Sequence, residues 1–430
     1  MTTPIATYKQ ACRYLDDLQM HKIKLGLEAM RSTLAGLGSP EEKCPAVHVA
    51  GTNGKGSVCS MLRSVMSGAG YKTGLYTSPH LSSVRERFRI DDQFISEEDF
   101  TRLMETIRQS LDGQSITYFE CTTALAFLWF AESGCDLVIL ETGLGGRLDA
   151  TNVIRPLLSI ITTISLDHEQ FLGTSVEEVA FEKAGIVKSH IPVISGVDDQ
   201  LARQVISQTC SERQSSVSQK GKDFRLAREP DGPWVWKSAA DEVRLGLMDV
   251  DQPNHWQVDN ICCAVAAAVQ LRSSGFTVGA ANIDSALARS TWPGRMELVE
   301  TPLRFLLDGA HNQAAVDCLL RSLKRYRYER LYVIWAAMAD KSYATMLNDV
   351  ARLADVLLLT RPESERAAQP QDLYDQLEHI EGKEVRICST VDTATELVQE
   401  QASPEDLIVV AGSLYLIGEF RKLLLGEVVG

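Results

Sequence analysis

The chain has 430 residues, 45% hydrophobic and 23% charged, with a formal net charge of −14. That length exceeds one ordinary core and points to two domains of globular composition, while the acid excess argues against broad nucleic-acid binding, which rests on Lys and Arg neutralising phosphates. No apolar run reaches the roughly 18 to 20 residues of a membrane span, and the start MTTPIATYKQ lacks the charged, apolar, small-residue order of a signal, so a cytoplasmic protein is expected.

In chain order, AVHVAG from Ala46 reads as a buried strand that runs into GTNGKGS, Gly51 to Ser57, and then a helix. Gly51, Gly54 and Gly56 let the backbone approach a triphosphate, with Thr52 and Asn53 inside the turn and the Lys55 ammonium on the outer oxygens. Most such loops place Ser or Thr directly after the lysine as a magnesium ligand. Here Gly56 intervenes and the hydroxyl is Ser57. KTGLYTS then reads as a strand, YFECTTALAFLWFAESG as a helix, and CDLVILETG and LLSIITTIS as further strands, an alternation that predicts a mostly parallel sheet covered by helices. From about Ser207 to Asp251 short alternating pieces such as PWVWKS and EVRLGL predict antiparallel strands at the edge of the first domain. The helical QVDNICCAVAAAVQLRSSG and NIDSALARS lead to TWPGRMELVE, where Pro293 and Gly294 place a boundary between domains 1–294 and 295–430. RFLLDGAHN, LYVIWAAM, DVLLLT, EVRICS and LIVVAGS then predict a second, smaller α/β domain. The cysteines show no CxxC pairing and read as reduced, mostly buried thiols.

Chemistry gathers at strand ends. Glu141 closes the apolar LVILE, and a carboxylate leaving such a strand must be paired or bind a cation. Asp167 and His168 follow SIITTIS. Glu141, His168 and a hydroxyl such as Ser78 in YTSPHL could surround Mg²⁺ whose other positions go to phosphate and water. A lone histidine most often makes structural hydrogen bonds; beside Glu141 and a phosphate loop the ligand reading is taken. Lys183, at the end of the helix in EEVAFEKAGIVKS, either helps neutralise phosphate or makes a surface pair with Glu178 or Glu182.

Taken together, KLGLE, GTNGKGS, YTSPHL, LETGLGGRLDATN, LDH, FEKAGI, WPGRME, LDGAHN, AAMADK and AGSLYLIGE resemble, nearly end to end, the folylpolyglutamate synthase and dihydrofolate synthase family of the Mur ligase superfamily. The resemblance implies an α/β fold: an N-terminal phosphate-loop ATPase domain with a mostly parallel sheet plus a small antiparallel sheet, and a smaller Rossmann-like C-terminal domain. It implies an ATP-dependent amide ligase of the bifunctional bacterial type, with ATP and Mg²⁺, that adds L-glutamate to dihydropteroate and to folates through an acyl phosphate. Lys55 resembles the family's phosphate lysine; Ser78, Glu141 and His168 its magnesium ligands; Lys183 the lysine that the family carbamylates. Asn260 in QVDN resembles the adenine-side asparagine, Arg295 in PGR would reach the phosphates, Asp308 in LDGAHN the ribose, and His311 the phosphate or acyl phosphate at a cleft completed by domain closure. DLQMHKIKLGLEAM resembles a pterin-cradling loop, and Phe119 and Asp149 fall on dihydropteroate positions, though the one also reads as a core aromatic and the other as a turn residue. Arg366 and Ser413 are suspected in the glutamate pocket. A monomer working on small molecules, with no nucleic-acid or membrane partner, is expected. The alternatives are a polyglutamate synthase alone, a cell-wall Mur ligase, against which stands the mere ~45 residues before the phosphate strand, and a nucleotide-gated switch that hydrolyses ATP without ligation.

Overall fold

The computed structural model of the chain describes residues 4–18, 26–111, 113–230, 232–247, 258–378 and 382–426. Among these residues two compact units emerge: 4–80 with 84–247 and 258–290, and Leu81–Ser83 with 291–426. In the first, β1 (Ala46–Ala50), β2 (Thr73–Tyr76), β3 (Phe88–Ile90), β4 (Gln93–Phe94), β5 (Leu137–Glu141), β6 (Leu158–Ile161), β7 (Val193–Ser195) and β8 (Val217–Gln219) form one sheet in the order β4-β3-β2-β5-β1-β6-β7-β8. Pairing is parallel from β2 across to β8, and β3 and β4 add an antiparallel edge. AVHVA and LVILE show no apolar/polar alternation because β1 and β5 are buried along their whole length, helices covering both faces of the sheet.

Those helices are α1 (Tyr8–Asp17), α2 (Glu28–Gly36), α3 (Lys55–Gly68), α4 (Glu97–Ser110), α5 (Tyr118–Ser133), α6 (Glu169–Leu172), α7 (Val176–Ala184), α8 (Gln200–Glu212), α9 (Val258–Leu271) and α10 (Ala280–Arg289). α5 is apolar on every side. Thr117 and Glu120 start it with a capping box, and Gly134, at φ 64°, ends it in the left-handed region. Its Leu125, Phe127 and Phe130 share a core with Leu15, Met30, Leu34 and Phe100 from α1, α2 and α4, each large side chain contributing about 1.5–3 kcal/mol on burial. α3 leaves the phosphate loop with Val58, Met61, Leu62 and Val65 buried, packed against the sheet on one side and α9 and α10 on the other.

The segment from Ser207 to Asp251 departs from the expected run of antiparallel strands. Ser207–Glu212 complete α8, and Val217–Gln219 join the main sheet in parallel as β8. Asp199 caps α8 by accepting from Ala202 N at 2.9 Å, and Ala202, Ile206 and Cys210, at helical spacing, bury one face, so the helix persists through a polar sequence. Only β9 (Phe224–Arg228), β10 (Trp234–Ser238) and β11 (Glu242–Leu245) form the small antiparallel sheet.

In the second unit, β12 (Glu297–Glu300), β13 (Arg304–Leu307), β14 (Leu331–Trp335), β15 (Val356–Leu359), β16 (Glu384–Ile387) and β17 (Leu407–Ala411) take the order β12-β13-β17-β14-β15-β16, parallel except for β12. Its helices are α11 (Gln313–Leu323), α12 (Ala344–Leu353), α13 (Pro370–Asp375), α14 (Val391–Gln401) and α15 (Leu414–Leu425). Alternate residues feed two cores: Leu306, Val333 and Trp335 on one face, Phe305, Tyr332 and Ile334 on the other. All ten cysteines are free thiols. Among the described residues no helix is long and apolar enough to cross a membrane.

Candidate active site

Four adjacent strands, β2, β5, β1 and β6, end at the same edge of the first sheet, where they deliver Ser78, Glu141, the phosphate loop and the segment that leads to His168. Val49 stands opposite Glu141 in register, so that carboxylate lies level with the last residues before Gly51. Ligand groups gather at such edges because strand ends are the only irregular, accessible backbone in a covered sheet.

The loop is held from one side. Thr52 N donates to Thr163 O (2.8 Å), Asn53 N to Thr163 Oγ1 (2.9 Å), Thr162 Oγ1 to Asn53 O (2.6 Å) and Thr52 Oγ1 to Ser165 O (3.0 Å). A Cβ on Gly51 would run into Thr162 Oγ1, and one on Gly54, whose φ is 83°, into Asn260 Oδ1. Both glycines are therefore required by contact, and Gly54 also by conformation. Sequence reasoning missed Thr162, Thr163 and Ser165; a run of hydroxyls at the end of a buried strand was the available signal. It did single out Asn260, which α9 places over Gly54, whereas the preceding His255, Trp256 and Gln257 lie outside the described residues, as do Gln19 to Leu25 of the pterin-loop motif.

Two ammonium groups converge on one carbonyl. Lys55 Nζ donates to Gly51 O at 3.0 Å and to Thr52 O at 3.3 Å; Lys183 Nζ donates to the same Gly51 O at 2.9 Å. Lys183 is 4% exposed, and burial, reinforced by Lys55, brings its ammonium down to about 7. The alternative of a surface pair is settled by its neighbours: Glu178 accepts from Thr174 N and Ser175 N, and Glu182 pairs with Arg147 at 2.8 Å. Lys55 also lies 4.0 Å from Glu141, whose other oxygen accepts from Ser78 N at 3.1 Å. His168, half-buried, starts α6 with φ 52°, and its ring lies 4.0 Å from Asp167.

Phe119 and Asp149 meet at Gly143. A Cβ there would strike the Phe119 ring, and Asp149 Oδ2 accepts from Gly143 N (2.8 Å) and Leu144 N (2.9 Å). Asp149 Oδ1 accepts from Thr151 N (3.1 Å) and Thr151 Oγ1 (2.5 Å), so all four acceptor positions serve its own loop. Behind it, His48 Nε2 is 2.8 Å from Thr151 Oγ1.

In the second unit Asp308, 7% exposed, accepts from Met296 N (2.8 Å) and Ala310 N (2.9 Å), and burial raises its pKa. Arg295 extends towards Gly309: a Cβ on that glycine would lie 2.7 Å from its Nη1. His311 Nδ1 is 2.8 Å from Gly309 O. Glu297, accepting from Gly294 N (2.7 Å) and from the buried Arg421 (2.8 Å), fixes the turn that carries Arg295; neither residue was legible as functional. Arg366 is exposed and paired with Asp340 at 2.8 Å, and Ser413 caps α15 by accepting from Tyr415 N.

A glycine turn between strand and helix, backed by a second, buried lysine at the strand ends of a parallel sheet, has the form of a phosphate-loop ATPase domain. Residues 49–268 match the Mur ligase middle domain and residues 294–414 the Mur ligase glutamate ligase domain. The chain is 35% identical to a Bacillus subtilis dihydrofolate synthase/folylpolyglutamate synthase, covering 97% of this chain and 99% of that one. It superposes on Escherichia coli FolC in complex with DHPP and ADP with a TM-score of 0.88 at 30% identity, over 98% and 99% of the two chains. A Yersinia pestis bifunctional folylpolyglutamate synthase/dihydrofolate synthase complexed with AMPPNP and Mn ion gives a TM-score of 0.88 at 28% identity, over 99% and 100%. The chain belongs to the folylpolyglutamate synthase/dihydrofolate synthase family, and is thus an ATP-dependent acid–amino-acid ligase.

Proposed function

We propose that the chain joins L-glutamate both to dihydropteroate and to reduced folates and their polyglutamates, through an acyl phosphate, in the cytoplasm. The observation that carries this is the pair of lysines on Gly51 O beside Glu141, in a chain whose relatives with both activities match it over nearly their whole length. A carboxylate resists an amine until one of its oxygens leaves easily. Lys55 and the α3 N-terminus stabilise charge on the phosphoryl group moving from ATP to that carboxylate; the glutamate amine then forms the amide bond as the acyl–phosphate bond breaks and inorganic phosphate leaves. Arg295 is assigned to the phosphates, His311 to the acyl phosphate, Asn260 to the adenine side and Asp308 to the ribose side. Phe119 offers its face to a pterin ring, and Asp149 supports that face by holding Gly143.

A divalent cation fits Glu141, Ser78 and His168: hard oxygen donors and one imidazole, arising from strand ends in one row, with the Glu141 carboxylate 5% exposed beside the Ser78 N–H. Among the described residues no three His, Cys, Asp or Glu side chains cluster closely enough to hold a metal by themselves, so nucleotide and water oxygens would complete the set. Mg²⁺ bound there would supply charge neutralisation for the phosphates. Lys183, kept largely neutral above pH ~7 by burial, is suited to react with carbon dioxide and become an anionic carbamate.

Phosphate release tests the reading. With dihydropteroate plus glutamate, and with a reduced folate plus glutamate, ATP is expected to go to ADP, and neither acceptor nor glutamate alone should suffice. Turnover with folates but not dihydropteroate would leave a polyglutamate synthase only, and hydrolysis without any acceptor would point to a switch.

A further inference from the structure

Opposite the phosphate loop, at the edge of the first sheet where β6 and β7 begin, lies a cleft of about 360 Å³. Five of the residues that line it are cationic, Arg31, Arg147, Arg155, Lys188 and Arg213, and none is acidic. They come from α2, the loop after β5, the segment before β6, the segment after α7 and the C-cap of α8. In a chain of net charge −14 such a gathering is against the average. None of the residues assigned to catalysis lines it.

Ordinary structural roles account for part of this charge. Arg147 pairs with Glu182, Arg155 donates to Ser189 O at 3.1 Å, and Lys188 donates to Asn152 O at 3.0 Å on the cleft floor. Arg213 follows the last turn of α8, where a cation complements the helix dipole. These bonds are to carbonyls or to one acid outside the cleft, and they leave the cluster short of negative charge. Arg31 and Arg213 make no side-chain ion pair among the described residues. Mutual repulsion is visible at Lys188, whose ammonium is lowered to about 8, first by burial and then by Arg31 and Arg213. Several guanidinium forks around a half-buried ammonium match oxyanions better than they match water.

We propose that this cleft binds a small polyanion carrying two or more carboxylate or phosphate groups. A single carboxylate would engage one or two of the five cations; a chain of them spans the cleft. The volume falls within the range of small-molecule sites. Two of its walls continue into the catalytic machinery: Asn152 belongs to the loop that Asp149 organises, and Lys188 follows the helix that carries Lys183.

Calorimetry on the intact protein tests this, with the phosphate loop saturated by Mg²⁺ and a non-hydrolysable ATP analogue. The probes are tri-γ-L-glutamate and inorganic tripolyphosphate. At low salt at least one is expected to bind one-to-one more tightly than about 1 mM. The double variant Arg155→Ala/Arg213→Ala should weaken that binding roughly tenfold or more and leave ATP-analogue affinity unchanged. Binding of the glutamate probe alone identifies a carboxylate ligand, of tripolyphosphate alone a phosphate ligand. If neither binds, or if the double variant binds as the parent does, the proposal is wrong. Should the double variant fail to fold, Arg31→Ala, an exposed position on α2, must by itself weaken binding at least about threefold.

Discussion

After β1 and after β13 the chain makes glycine-containing turns that lead from a buried parallel strand towards a helix, yet the two hold opposite charges at their centres. The first aims two ammonium groups at a single carbonyl, with one carboxylate 4.0 Å away from Lys55. The second closes on a buried carboxylate that accepts two backbone N–H groups. Asp308 accepts from Ala310 N in its own loop and from Met296 N in the turn before β12, whereas Lys55 and Lys183 share the neutral Gly51 O, Lys55 reaching Thr52 O and Glu141 besides. The first turn gathers positive charge around one carbonyl; the second is tied to the turn before β12 through Asp308, which keeps acceptor positions to spare, and carries Arg295 and His311 beside it.

Removing Lys183 should break the comparison hardest. On the proposed role of Lys183 as a carbamate beside the reacting phosphate, Lys183→Ala is expected to lower ligation about a thousandfold while the ATP analogue still binds through the Lys55 loop. A small added carboxylate should restore part of the rate. Lys183→Arg keeps a cation but forms no carbamate; if it runs nearly as fast as the parent, the residue works as a cation and the carbamate idea fails.

The two loops should also answer pH with opposite signs. Lys183 titrates near 7 when folded and in the ordinary lysine range when unfolded, so between those values the unfolded chain holds a proton that the folded chain has released. Stability from this residue therefore rises with pH, by about 2 kcal/mol between pH 7.5 and 9. Asp308 is raised by burial, so its loop loses stability as pH climbs from the ordinary carboxylate range through its folded value, and is flat beyond. Denaturation of the parent against Lys183→Met and Asp308→Asn, followed over pH 4 to 9, reads each slope by difference. Slopes of one sign for both residues would sink the contrast.

Glycine substitutions come next. Gly54→Ala combines a φ of 83° with a collision against Asn260 and should raise KM for ATP about tenfold. Gly309→Ala would press on Leu414 and on Arg295 Nη1 at 2.7 Å, so its expected effect is on the placement of Arg295, read as lower kcat with KM for ATP little changed. A rise in KM from Gly309→Ala equal to that from Gly54→Ala would show that the second loop also binds ground-state nucleotide.

What could be read in advance follows from locality. AVHVA-GTNGKGS and RFLL-DGAHN announce strand, turn and helix from contiguous residues, because glycine placement and apolar runs are local facts. The strand order that sets Ser78, Glu141, Lys55 and His168 on one edge is not local, nor is the burial that turns Lys183 inwards; FEKAGI looks the same on a surface helix. The threonines behind the phosphate loop stayed hidden because IITTIS is also an ordinary strand end, and the end of α8 was missed because past Ile206 its polar sequence buries only Cys210.

The smallest effect is expected at His48, and it separates support from contact on the pterin side. An ionised Asp149 can only accept, so Thr151 must give its hydroxyl proton to Asp149 Oδ1, and Thr151 Oγ1 must then accept from His48 Nε2–H. The ring is fully buried, its Nδ1 has no partner among the described residues, and burial followed by the charge of Lys188 lowers its pKa to about 3. A neutral Nε2–H tautomer leaves a bare lone pair at Nδ1, less costly than an orphaned N–H would be. Nitrogen chemical shifts of His48 should therefore show that tautomer unchanged from pH 5 to 8. His48→Leu keeps the buried volume and removes the donor, so it should cost about 1 kcal/mol of stability. If Asp149 serves dihydropteroate by holding Gly143 against Phe119, the substitution should raise KM for dihydropteroate a few-fold and leave KM for ATP alone. An unchanged KM for dihydropteroate alongside the stability loss would confine the His48–Thr151–Asp149 chain to folding.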